Sequence, residues 1–294
     1  MKLVVDRLRS RLPPPDRLVF STDTHSGAAY PFNLKRHVDW VNANASARRI
    51  VALLCSGDFT NGGADAYWAD VVSSWNTLTV PGIPCPGNHD YDGSDWTSRT
   101  TKISTYLPTA SMATLIAAYQ AGVSSNTAHL ITVNGRQWLV LALEFWPRDA
   151  VVVWALGILA ANLGKPTIIL THEALTRTGV LSTPAYYSQS GTGINFGQDI
   201  NAKLVVPYPQ ICLVFSGHDI PYTAKRLTIT RDDGSKCSYC YRNTQDYPQG
   251  SGPSGSPFLT EVELDEVNNR CGLRYWAPAM GMELPVGNDV FQLF

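Results

Sequence analysis

Short aliphatic runs recur along this 294-residue chain, and nearly every one stops in a small polar cluster carrying His, Asp or Asn. The runs lie at 17–21 (RLVFS), 50–55 (IVALLC), 79–81 with Ile83, 129–133, 137–143 (QWLVLAL), 166–171 (PTIILT) and 211–215 (ICLVF). Each is too short for a helix and rich in β-branched or aliphatic residues, and the stretches between them have helical composition. Such alternation predicts an α/β fold. Later runs, 222–230 and 258–264, alternate apolar with polar residues, as antiparallel strands with one wet face do.

The residues just after the runs carry the chemistry. Thr22-Asp23-Thr24-His25 follows the first, Ser56-Gly57-Asp58 the second and Pro86-Gly87-Asn88-His89-Asp90 the third. His172-Glu173 follows PTIILT, and Ser216-Gly217-His218-Asp219 follows ICLVF. In a sheet whose strands run the same way these ends share one edge, where α/β proteins place their ligands. Four of the six histidines (His25, His89, His172 and His218) stand there; His37 and His129 read as structural or exposed. Imidazole nitrogen mixed with carboxylate and amide oxygen suits a borderline first-row cation such as manganese, iron, zinc or nickel. Singly, Asp23 or Asp58 reads better as a turn or a helix cap, and His172 or His218 as a buried histidine. Five such ends in order do not.

Taken in order, D-x-H, G-D, G-N-H-D, a lone H and G-H resemble the calcineurin-like metallophosphoesterase superfamily from residue 17 to about Tyr222. Glu144-Phe145-Trp146-Pro147-Arg148 and Gly197-Gln198-Asp199-Ile200 look similar to its bacterial-type members. The resemblance implies a four-layer α/β/β/α sandwich of two mixed sheets flanked by helices, with two divalent cations at one edge. Position by position, it implies Asp23 and His25 on the first cation, Asp58 bridging both, and Asn88, His172 and His218 completing the second. His89 is then the donor to the phosphoryl group or leaving oxygen, and Asp90 the residue that fixes its ring. The implied activity is hydrolysis of a phosphomonoester or phosphodiester by a metal-bound hydroxide, with the cations clamping a phosphoryl oxygen.

One position departs from that pattern. Members usually read G-H-x-H at the last motif, the second His being the remaining ligand of the first cation; here Gly217-His218-Asp219-Ile220 ends in a side chain that ligates nothing. Either the first cation is held loosely by Asp23, His25, Asp58 and water, or a nearby oxygen takes over. Asp219 is a poor substitute, since neighbouring side chains on an extended segment point to opposite sides; Glu144 and Glu173 are candidates. Two other readings stay open: a binding protein on the same fold that does not turn its ligand over, and a metal-dependent hydrolase of non-phosphate esters.

Elsewhere the chain mostly excludes. With 23 basic and 24 acidic residues its net charge is −1, too balanced to draw it to nucleic acid or anionic lipid. The expected partner is a phosphoester held by a local device, with oligomeric state open. The longest apolar run, 150–161, has twelve residues where a membrane span needs about twenty, so it reads as a buried helix or an association surface. Residues 1–16, with Pro13-Pro14-Pro15, read as an arm before a single domain over 17–294. They lack the apolar stretch of a secretory signal, so a cytoplasmic location is expected. Cys55 and Cys212 read as core thiols, and Cys237-Ser238-Tyr239-Cys240 as a hairpin turn with two thiols, there being no second C-x-x-C for a zinc ribbon. Two long loops are functional or mobile: 176–198, with Tyr186 and Tyr187, and 245–257. Tyr186, Tyr187 and Trp146 read as cleft lining or as packing, and Arg148 as a phosphate contact or an ion pair.

Overall fold

Strands that are apolar throughout must be covered on both faces. A computed structural model describes residues 14–27, 33–220, 223–243, 258–278 and 281–294. In chain order the strands are β1 (Arg17–Ser21), β2 (Ile50–Cys55), β3 (Gly82–Pro84), β4 (Leu115–Ala118), β5 (Thr127–Val133), β6 (Arg136–Leu143) and β7 (Thr167–Thr171). Then come β8 (Ile211–Ser216), β9 (Thr223–Thr230), β10 (Lys236–Asn243), β11 (Leu259–Asp265), β12 (Arg270–Ala277) and β13 (Met282–Gln292). They form two mixed sheets, ordered β13-β12-β11-β1-β2-β3 and β4-β5-β6-β7-β8-β10-β9.

Alternate residues of each central strand face different layers. Leu18, Phe20, Ala52 and Leu54 of the first sheet meet Val140, Ala142, Ile168, Leu170, Leu213 and Phe215 of the second in a shared core. On the outer face of the first sheet Val19, Leu53 and Cys55 pack beneath the helices Asn33–Arg48 and Asp65–Trp75. On the second, Leu139, Leu141, Leu143, Ile169 and Val214 pack beneath the helix Asp149–Ala161. The result is the expected four-layer α/β/β/α sandwich. Fully burying one such aliphatic side chain stabilises the fold by roughly 1.5–3 kcal/mol before the entropy of ordering it is set against that.

Topology brings the site together. β1, β2 and β3 run parallel in one sheet, and β6, β7 and β8 run parallel in the other. Their carboxyl ends deliver residues 22–25, 56–58, 86–90, 144–146, 172–173 and 217–219.

Several expectations change. The 237–240 segment is not a turn: it lies inside β10, which places Cys237 in the outer core and Cys240 between the sheets. An odd spacing on a strand sends the two thiols to opposite faces, and all six cysteines are free and buried. The 150–161 run is a helix with Val151, Val152, Ala155 and Leu159 buried and Val153 67% exposed. Among the described residues no helix is long and apolar enough to cross a membrane. The loop 176–198 contains a short helix, Pro184–Tyr187, whereas the loop 245–257, residues 1–13 of the expected arm, and Tyr222 lie outside the described residues.

His37 and His129 are both fully buried. His37 Nδ1 pairs with Ser21 Oγ at 2.7 Å, and His129 sits between Thr114 and Thr127 hydroxyls at 3.0 and 2.9 Å. Burial pushes the His129 imidazole down to about 4. The unfolded chain takes up this proton near about 6.5, so protonation favours unfolding in between. Its contribution is intact above about pH 6.5 and falls progressively by about 3 kcal/mol as the pH drops to 4. Urea denaturation of the wild type and His129→Gln should differ by that extra acid loss; parallel pH profiles would remove His129 from the account.

Candidate metal centre

Backbone pairing sets the geometry first. The loops after β1 and β2 zip together, with Asp23 N–H donating to Gly57 O (3.0 Å) and His25 N–H to Asp58 O (2.8 Å). Asp23, His25 and Asp58 take positive φ angles of 51°, 42° and 51°, and His218 one of 81°. Left-handed backbone is uncommon outside glycine and costs of the order of 1–3 kcal/mol, so it persists where surroundings over-determine it, as at functional sites. Three motif glycines are required by space, Gly57 among them, since its Cβ would lie 2.1 Å from Gly87 N. A Cβ on Gly87 would lie 2.2 Å from Asp58 Oδ1, and one on Gly217 2.3 Å from Asp23 Oδ2.

The side chains then converge. Asp23, His25 and Asp58 each place a ligand atom within 4.8 Å of the others, all three buried. Asp58 Oδ2 lies 3.4 Å from His25 Nε2 and 3.2 Å from His172 Nε2, between the two sheets' contributions. His172 Nδ1 donates to Ser56 O at 2.7 Å, which fixes its ring and leaves Nε2 toward Asp58. The His218 ring is 5.1 Å from that of His172, and its backbone N–H reaches Asp23 Oδ2 at 3.2 Å. Thr22 Oγ1 donates to the same Asp23 oxygen at 2.6 Å.

Of the buried polar atoms left without a hydrogen-bond partner, four are on the expected ligands: Asp23 Oδ1, His25 Nε2, Asn88 Oδ1 and His172 Nε2, the two imidazole nitrogens facing Asp58 Oδ2 at 3.4 and 3.2 Å. An unpaired buried polar atom costs about 1–3 kcal/mol, so four at one sheet edge need a common reason. A mixed nitrogen and oxygen set fits a divalent first-row cation.

Electrostatics agree. Burial alone would raise the Asp58 carboxyl, but the charges of His172, His25 and His89 override it and hold it well below the carboxylate range. His172, despite burial, is carried up to about 9 by Asp58 and Asp23. Burial and the neighbouring His172 charge press His218 down to about 3, which keeps its nitrogen lone pair available. Asp23 is raised by burial, and Asp58 adds to that. A cation entering this set displaces the His172 proton, so binding should release protons.

The remaining predicted residues sort differently. Asp90 does not touch the His89 ring: its oxygens accept from the N–H groups of Gly87 and Thr60, both at 2.9 Å, because the tight turn between them needs its own backbone donors satisfied. Burial and the Asp58 charge raise its carboxyl to about 7. Of the two candidates to stand in for the missing ligand at position 220, Glu144 is engaged through both oxygens, whereas Glu173 keeps one free. Glu144 accepts from Arg148 Nε (2.7 Å) and Nη2 (3.0 Å) and from Asn126 (3.0 Å), which also makes Arg148 an ion-pair partner. Asp219 accepts from Arg177 N–H (2.9 Å) and Tyr186 OH (2.6 Å). Glu173 holds Trp146 Nε1–H (2.9 Å) and Ser182 Oγ–H (2.7 Å), both through Oε2, which leaves its buried Oε1 without a hydrogen-bond partner, and burial raises its carboxyl to about 7. Among the described residues no fourth His, Cys, Asp or Glu joins the Asp23, His25 and Asp58 cluster.

Trp146 is buried among Phe145, Phe196 and Trp96, and Tyr187 lies 5.5 Å from the His218 ring, so packing and site lining are one feature here. Sequence reading missed the Ser56 carbonyl, which carries no side-chain signature, and Ser94, whose hydroxyl lies 3.2 Å from His89 Nδ1.

Paired sheets whose parallel strands deliver buried His, Asp and Asn donors to one edge define a class, α/β sandwiches with a candidate metal site at that edge. The chain belongs to the calcineurin-like phosphoesterase family, which it matches over residues 17–222. It is 24% identical over 284 residues to an uncharacterised protein, YvnB, of Bacillus subtilis strain 168, covering 92% of this chain and 21% of that protein. The chain thus spans about a fifth of the length of that relative. Among solved structures it resembles the fold of GAP50, the anchor in the inner membrane complex of Plasmodium (TM-score 0.52, 13% identity, 96% of this chain and 89% of that one). A phosphopantetheinyl hydrolase from Mycobacterium tuberculosis also matches (TM-score 0.43, 12% identity, 79% and 90% coverage).

Proposed function

We propose that the chain hydrolyses phosphoesters at a site for two divalent cations, with the four unpaired buried donors as the observation that carries the reading. Asp23, His25 and Asp58 would hold one cation, and Asp58, Asn88, His172 and His218 the other. When bound, such a pair supplies Lewis acidity and a nucleophilic water at neutral pH.

The chain's own residues do the rest. The backbone N–H of His89 is fastened to Asp58 Oδ1 at 2.8 Å, which places its ring beside the bridging carboxylate. From there the imidazole donates to the phosphoryl group or the leaving oxygen. Phe145, Trp146 and Tyr187 wall the His218 side and limit water there. The first position would have three protein donors, with no fourth His, Cys, Asp or Glu in the cluster among the described residues, so it is the weaker of the two.

The test uses the chain stripped by chelator and reloaded with Mn²⁺, Zn²⁺, Ni²⁺ or nothing, then assayed on p-nitrophenyl phosphate, bis(p-nitrophenyl) phosphate and an acyl ester. Phosphoester turnover should appear only with metal, and mild dialysis against chelator should retain about one equivalent and strip the other. Acyl ester turnover alone would replace this reading with the non-phosphate one. Metal binding without any turnover would leave a binding protein.

A further inference from the structure

His89 is held at three points, and none of them is the carboxylate next to it in sequence. Its N–H donates to Asp58 Oδ1 at 2.8 Å, and its carbonyl accepts from Gly62 N–H at 2.9 Å and Thr60 Oγ1 at 3.1 Å. Its ring meets Ser94 Oγ at 3.2 Å from Nδ1. Asp90 contributes nothing to the ring, since its oxygens close the Gly87 and Thr60 turns.

Ser94 reaches this place by a constrained route. A turn closed by Ser94 N–H to Tyr91 O at 2.9 Å carries Gly93 at φ 64° and Ser94 itself at φ 61°. Serine adopts left-handed backbone infrequently, and a residue held there marks a position that its surroundings dictate. Here the outcome of that conformation is a hydroxyl against one nitrogen of the candidate substrate donor His89.

We propose that Ser94 is the positioning residue of His89. Its Oγ–H donates to Nδ1, which keeps the proton of the ring on Nε2 and leaves that nitrogen to donate to the phosphoester. The hydroxyl fixes tautomer and rotamer without placing a negative charge beside the imidazole, unlike a carboxylate partner. The inference rests on the phosphoesterase reading only for what Nε2 meets; the contact between Ser94 and His89 stands without it.

The experiment compares the full chain with its Ser94→Ala, Ser94→Gly and His89→Gln variants by two readouts, glycine being free of backbone strain at the left-handed φ of this position. Long-range ¹H–¹⁵N spectra of the Zn²⁺-loaded proteins report the His89 ring, assigned by its disappearance in His89→Gln. Wild type should show the Nε2-protonated pattern, and Ser94→Ala and Ser94→Gly a mixture of tautomers. On bis(p-nitrophenyl) phosphate with Mn²⁺, both Ser94 variants should lower kcat by about tenfold with KM changed by less than about twofold. A wild-type ring protonated on Nδ1, or a ring pattern unchanged in Ser94→Ala, overturns the proposal. A wild type that turns over no phosphoester defeats the functional reading instead, and the ring spectra still decide the role of Ser94.

Discussion

Replacing Asp58 with alanine is expected to abolish metal-dependent phosphoester hydrolysis, by at least about a thousandfold, because Asp58 faces imidazoles delivered by both sheets. Asp58 Oδ2 lies within 3.4 Å of His25 Nε2 and 3.2 Å of His172 Nε2, and Oδ1 anchors the His89 N–H. On the proposed reading, losing it would remove a shared ligand of two cations and the anchor of the substrate donor together, where a single transition-state donor is already worth about 10²–10³ in rate. Steady-state assays with saturating Mn²⁺, alongside near-ultraviolet circular dichroism to show that the fold survives, measure this. Activity within about tenfold of wild type in a folded variant would exclude a bridged site.

Gly87→Ala should damage fold and site together. The added Cβ would lie 2.2 Å from Asp58 Oδ1 and 2.4 Å from Asp58 N, and a backbone nitrogen cannot rotate away. Overpacking of this kind typically costs about 1–3 kcal/mol, and here the displaced group is also the bridging ligand. A loss of about 3 kcal/mol in urea denaturation, together with failure to retain cations through gel filtration, is expected. Gly157→Ala is the matched control, since nothing lies within 4 Å of its Cβ in the helix Asp149–Ala161. That change should be neutral or stabilising by up to about 1 kcal/mol. Equal behaviour of the two variants would mean that the glycine of G-N-H-D is not there for space.

The pattern of success in reading this chain follows the physics. β1, β2, β7 and β8 were legible because central parallel strands must be apolar on both faces, and their short runs end where the polar loops begin. The gathering of Asp23, His25, Asp58, Asn88, His172 and His218 at one edge was legible for the same reason: carboxyl ends of parallel strands collect the residues that follow them. β10 was not, because Cys237-Ser238-Tyr239-Cys240 mixes small, polar and aromatic residues whose burial depends on two sheets not visible locally. β4 (LIAA) was too short, and Gly272 interrupts the alternation of β12. Asp90 looked like the partner of His89 because it is adjacent, yet hydrogen bonds follow space. The turn claimed its carboxylate, and Ser94, five residues away through a left-handed turn, took the ring. Glu144 is taken up by Arg148 and Asn126, which only the packed structure reveals, whereas Glu173 keeps Oε1 unpaired.

Anomalous diffraction from crystals grown with Mn²⁺ tests the central claim most directly. Two peaks about 3.5–4 Å apart are predicted, one bounded by Asp23, His25 and Asp58 and the other by Asp58, Asn88, His172 and His218, the first the weaker. Manganese ordered elsewhere, or none at this edge with Asp23 Oδ1, Asn88 Oδ1 and the two imidazole nitrogens hydrogen-bonded to water, would contradict it.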